Sequence, residues 1–115
     1  MIKFVYMINR VQGMSIEQFA EHHRGHHAPL FMSIAEASRY VRKYAVSHPV
    51  PAEKYPAPAY DGLTEIWFEN WKDHDAFFAS SNYQNVVHPD EATFIDPNSI
   101  GVMVTQETVV KDMAE

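Results

Sequence analysis

Cysteine is absent from this 115-residue chain, which excludes a disulfide framework, a thiol nucleophile and a thiolate metal site. The cytoplasm is therefore the expected compartment. Basic residues are scarce: nine Lys and Arg stand against fifteen Asp and Glu, for a net charge of −6, and they cluster only at Arg39, Arg42 and Lys43. That is not the electrostatic footprint of a nucleic-acid binder. No run approaches the ~18 apolar residues of a membrane span. The first residues, Met1 to Tyr6, have no basic stretch ahead of an apolar run and no small-residue cleavage site, so they read as mature structure. A phosphate-binding loop, a dinucleotide fingerprint, a nucleophile elbow and a serine triad are all missing, which argues against phosphate and acyl-enzyme chemistry.

What remains is an ordinary globular composition, 46% hydrophobic and 21% charged, on a chain long enough for a single domain over residues 1–115. Residues 2–10 are apolar on both parities, the signature of a strand buried on both faces. Ser15 stands three residues before Gln18, the spacing of a capping box. Beyond it, Ile16, Phe19, Ala20, His23, His27, Leu30, Phe31 and Ile34 share one helical stripe, which predicts a helix from Ser15 to about Ser38. Pro29 predicts a break or kink near His27-Ala28. Residues 39–48 read as a strand with charge on both faces, hence an edge, and the four prolines within 48–60 predict an extended loop. A second mostly apolar strand spans 63–69, a second helix runs from Lys72 to about Ser81, and His88-Pro89-Asp90-Glu91 resembles a helix start. Asp96 to Ser99 reads as a turn, 101–110 as the last strand, and the tail 111–115 as loose.

The order βαββαβ, with right-handed crossovers, predicts an α+β ferredoxin-like fold. Its four-stranded antiparallel sheet would have the first and third strands at its centre and both helices on one face. Because those central strands are apolar on both parities, the face without helices needs a cover, and a second copy of the chain is the economical one.

Four of the seven histidines fall within residues 22–27. His23 and His27 lie in the apolar stripe, His26 at its margin and His22 on the flank, so the 23/27 pair is aimed at the core, where an imidazole can both take and give a proton. The 22/26 and 23/27 pairs also have the i, i+4 spacing by which a helix offers two imidazoles to a divalent ion. A third ligand would have to come from His88, Asp90 or Glu65, and no metal is expected. Glu65, in the middle of a central strand and on the parity of Trp67, is either a structural ion pair or an acid, base or orienter reaching toward the histidines. Tyr6 and Tyr40 can present phenols from the sheet, and Phe31 and Phe77 can line a pocket.

The stretch KFVYMINRVQGMSIEQFAEHHRGHHAPL resembles the opening of EthD-like proteins, with its Met-Ser-x-x-x-Phe helix entry and His-Ala-Pro step. YDGLTEIWFENW and DEATFIDPNSIGVMVTQETVV are similar to later segments of the same family. The resemblance implies a dimeric α+β barrel and cofactor-independent proton chemistry on oxygenated aromatic, lactone or polyketide-like compounds: dehydration, cyclisation or isomerisation. His27 matches the family's motif histidine and His22 a position often His or Tyr, whereas His23 stands where tryptophan is common. The expected machinery is then His27 as general acid or base, His23 as proton partner and Glu65 as orienter. His22, Tyr6, Tyr40, Trp67, Phe31 and Phe77 would contact the substrate. A non-catalytic binding or accessory protein is the alternative, and a haem-handling barrel with an axial histidine a further one.

Overall fold

Strand β1 (Ile2–Arg10) lies between β3 (Gly62–Phe68) and β4 (Ile95–Thr105), while β2 (Val41–Ser47) closes the other edge, giving the antiparallel order β2-β3-β1-β4. The computed structural model from which this is read describes residues 1–113. The two strands apolar on both parities are central and the charged one is at an edge, because only an inner strand is covered along both sides. Ile2 pairs with Phe68 and Ile8 with Gly62, a register that turns Phe4, Tyr6, Ile8, Thr64 and Ile66 toward the helices and Lys3, Val5, Glu65 and Trp67 away from them.

Between β1 and β2 the chain is helical in pieces: α1 (Ile16–His22), a π-helical turn (His23–His27), α2 (Ala28–Ser33) and α3 (Ala35–Tyr40). Ser15 and Gln18 form the reciprocal capping box that opens α1. The expected break at His27-Ala28 is corrected to a widened turn. Ala28 keeps helical angles (φ −62°, ψ −46°) and donates to the carbonyl of His23. The chain accommodates the N–H that Pro29 lacks by lengthening the hydrogen-bonded turn ahead of it. The true interruption comes at Ile34 (φ −85°, ψ 145°), and α3 runs on through Tyr40, so Arg39 and Tyr40, read as strand, are helical. The second half repeats the device: α4 (Trp71–Ala79), a π-helical turn (Tyr83–Val87) and α5 (His88–Glu91) with Pro89 near its start.

Strand β4 begins at Ile95 and ends at Thr105, where 101–110 was expected. The Asp96–Ser99 turn does form, but as a bulge: between the Ile8–Ile100 and Arg10–Ile95 pairs, residues 96–99 face Asn9 alone. Asp96 accepts from the Asn98 N–H, and Asn9 Nδ2 donates to Ser99 Oγ at 2.8 Å. Of the tail 111–115, residues 114 and 115 lie outside the described residues. No helix of the described chain is long and apolar enough to cross a membrane.

The apolar interior is divided. One cluster joins Phe31, Ile34, Ala37, Ile66, Phe68, Phe77, Tyr83 and Val87; a second joins Ile8, Phe19, Phe94 and Ile95. His23 and His27, both buried, occupy the seam between them.

Candidate active site

That seam encloses a cavity of about 320 Å³, a volume suited to a small ring compound. Its floor is sheet: Phe4, Tyr6, Tyr44, Thr64 and Ile66. Its roof is helix and loop: His23, His27, Phe31, Phe78, Tyr83, Glu91 and Phe94. Ile100 and Val102 of the edge strand stand at its margin, 41% and 53% exposed, so the cavity is open along β4.

His27 Nδ1 lies 2.8 Å from Asp90 Oδ2. A carboxylate only accepts, so Nδ1 carries the proton and Nε2 holds the lone pair in the neutral ring. Nε2 makes no hydrogen bond, yet among the described residues no buried side-chain nitrogen or oxygen lacks a partner; this nitrogen therefore touches accessible space at the cavity that its ring borders. Burial lowers the imidazole's pKa, partly opposed by the hydrogen bond to Asp90. Burial alone would raise the Asp90 carboxyl, but the hydrogen bonds from His27 and His22 outweigh it and hold it low.

His23 has both nitrogens engaged, Nε2 with Thr64 Oγ1 and Nδ1 with His48 Nε2, each at 2.9 Å. Burial, reinforced by the neighbouring His48, brings its pKa down to about 3, so the ring is neutral. His48, half-buried at the start of the proline-rich loop, links this pair to the surface. The close approach depends on Gly62: a β-carbon there would sit 2.9 Å from Phe19 Cε2 and 3.4 Å from His23 Nδ1.

On the floor, the hydroxyls of Tyr6 and Tyr44 make no hydrogen bond among the described residues, whereas Tyr83 donates to Glu91 Oε2 at 2.6 Å. Burial, with Glu91 adding to it, pushes all three phenols up, so they remain proton donors at neutral pH. Tyr44 is held in place by stacking on Phe31, with ring centroids 4.1 Å apart.

The structure thus brings together His23, His27, Tyr6 and Phe31 of the expected residues, and sets the others elsewhere. Glu65 and Trp67 are on the opposite face of the sheet. The Glu65 carboxylate pairs with Lys3 Nζ at 2.9 Å, and the Trp67 ring is crossed by Lys3 and Lys43 and bonds Glu107, so neither side chain meets the histidines. The carboxylate that bonds His27 is Asp90. Tyr40 ends α3 and packs outside the cavity, and Tyr44, four residues on, takes its place; Phe77 is sealed in the core and Phe78 lines the cavity instead. His22 bonds Asp90 from outside at 3.0 Å, beside His26. Tyr44, Tyr83 and Glu91 were missed as cavity groups, and Asp90 as the partner of His27. The sequence signal for Asp90 was a carboxylate one residue after His88-Pro89, at a helix start; for Tyr44 it was an aromatic within the edge strand.

Comparison with known proteins gives a family and a fold. Residues 11–98 match the EthD domain. An EthD family protein from Bacillus halodurans superposes with a TM-score of 0.71 at 17% identity, covering 94% of this chain and 99% of its own. An EthD-like protein from Ralstonia eutropha gives 0.70 at 16%, covering 97% and 95% respectively. A dimeric protein of unknown function with a ferredoxin-like fold, from Bacteroides fragilis, gives 0.63 at 12%, covering 92% and 95%. No curated protein matches the chain in sequence.

Proposed function

Since the chain belongs to the EthD domain family, we propose that it binds an oxygenated ring compound in the cavity between sheet and helices and moves a proton on it through His27. The observation that carries the reading is the alignment Asp90–His27–cavity, with a lone pair available at Nε2 and two unbonded phenols on the facing floor. A ring carbon acidified by an adjacent carbonyl gives its proton to Nε2, and Asp90 stabilises the imidazolium. Tyr6 and Tyr44 donate to the oxygen on which the enolate charge collects. The proton returns to another carbon, an isomerisation, or to a departing oxygen, a dehydration or cyclising elimination. His23, satisfied on both nitrogens, relays a proton by exchanging tautomers: it takes one from His48 at Nδ1 as it gives one from Nε2 to Thr64, whose hydroxyl passes its own proton to the compound in the cavity.

The partner in this reading is a second copy of the chain. Val5 and Trp67 are already buried on the far face of the sheet, Trp67 under the Lys3 and Lys43 side chains, but Met103 is 51% exposed there. Beyond β4, Val109 and Val110 are 61% and 94% exposed. Large apolar groups left exposed suit a mate that covers them, and dimers occur among the structurally similar proteins.

The test is hydrogen–deuterium exchange at carbon, followed by NMR in D2O over a panel of enolisable lactones and cyclic ketones. Wild type should accelerate exchange, His27→Ala should lose about 10²–10⁴-fold of that acceleration, and Tyr44→Phe should lose part of it. Ring compounds that bind the cavity without exchanging would favour the accessory, non-catalytic reading; a haem absorption band in the isolated protein would favour the haem one.

A further inference from the structure

We propose that His22, His26 and Asp90 form a binding site for a divalent transition-metal ion of the zinc class, on the outer side of the first helix. The cavity uses neither of these histidines. Their rings lie over each other, with centroids 4.7 Å apart, and both direct Nε2 at one carboxylate: His22 to Asp90 Oδ2 at 3.0 Å, His26 to Asp90 Oδ1 at 3.6 Å. The three residues place one ligand atom each within 4.8 Å of one another. Around a tetrahedral ion with bonds near 2.0–2.2 Å, ligand atoms stand about 3.3 Å apart; Asp90 Oδ1, as the one carboxylate ligand, lies 3.2 Å from His22 Nε2 and 3.6 Å from His26 Nε2, on either side of that figure. The cluster becomes a coordination shell when the ion takes the place of any proton on each Nε2 and the two imidazoles close on it beside the carboxylate.

Two further features separate this cluster from a chance surface grouping. The carboxylate is oriented from behind by His27 Nδ1 at 2.8 Å, and the Thr93 hydroxyl donates to the Asp90 backbone carbonyl at 2.6 Å; an outer partner such as His27 holds a metal ligand in its working orientation. The cluster also opens on a shallow groove bordered by Val11, Gln12, Met14, Gln18 and Glu21, so an ion can enter and keep a water or small anion in its remaining position. Two imidazoles and one carboxylate suit zinc, cobalt, nickel or copper and disfavour magnesium and calcium, which prefer all-oxygen shells. The site does not depend on what the cavity does: its ligands face away from it, and Asp90 is the one residue common to both.

Isothermal titration of the full chain, free of any affinity tag, with Zn²⁺ and separately with Mg²⁺ reads the proposal directly, and Co²⁺ reports geometry through its visible absorption. One Zn²⁺ per chain should bind with micromolar or better affinity while Mg²⁺ does not, and Co²⁺ should give a tetrahedral-type band. His26→Ala is the informative variant, because that ring is 62% exposed and its loss leaves the fold intact; it should weaken Zn²⁺ by at least about tenfold. Asp90→Asn should do the same, whereas His74→Ala, remote from the cluster, should bind as wild type. Absence of Zn²⁺ binding, equal binding of Mg²⁺, or a His26→Ala affinity equal to wild type overturns the proposal.

Discussion

Acidification should destabilise this protein chiefly through His23. The ring is buried and its pKa in the folded chain is about 3, against about 6.5 for an imidazole in the unfolded chain. Between those values the unfolded state binds a proton that the folded state refuses. Stability is therefore fully present above pH ~6.5 and falls as the pH drops toward 3, with a limiting slope of about 1.4 kcal/mol per pH unit. Integrated from about pH 7.5 to about pH 5, this one group accounts for a loss of about 2 kcal/mol, a large share of the stability of a domain this size. His27, lowered by burial in the same direction, adds to the loss in wild type, so the His23 contribution is isolated by difference. His23→Gln keeps a donor and an acceptor for Thr64 and His48 but has no proton to gain. Urea unfolding of both proteins at the two pH values, with a chelator present, should give a wild-type decline steeper than that of the variant by about 2 kcal/mol. Equal declines would mean that the folded protein protonates His23 near the ordinary pH, and the picture of a neutral, doubly bonded, buried ring would fail. An NMR titration of the His23 ring that shows no protonation above about pH 4 would support it independently.

Gly62→Ala should push Phe19 and His23 off the sheet and cost about 1–3 kcal/mol, measured by thermal unfolding; an unchanged Tm would show that the helix can back away freely. Ser15→Ala removes the side-chain half of the capping box and should cost about 1 kcal/mol, with Ser15→Asp restoring most of it. In sedimentation equilibrium the chain should behave as a homodimer at micromolar concentration, and truncation before Val109 should weaken the association; a wild-type monomer would refute the reading of the far sheet face.

The order and kind of elements were determined by features that act over a few residues. A capping box at Ser15 satisfies helix N–H groups whatever lies beyond, doubly apolar strands must be inner ones, and a histidine four residues from another on an apolar stripe must face the core with it. Those periodicities placed His23 and His27 correctly, and the segments similar to EthD-like proteins carried the family. Local pattern ran out wherever two distant parts of the chain had to meet. That Thr64 and not Glu65 faces the histidines depends on one step of strand parity, which two apolar neighbours leave undefined until β1 pairs in register. That Tyr44 and not Tyr40 reaches the cavity depends on α3 continuing to Tyr40, a boundary set by packing. Asp90 meets His27 across 63 residues because the second helical segment docks beside the first, and no spacing in the chain encodes that encounter. Side-chain chemistry is a property of the residue and is legible in the sequence, but which acid orients which base is a property of packing, and the folded chain alone decides it.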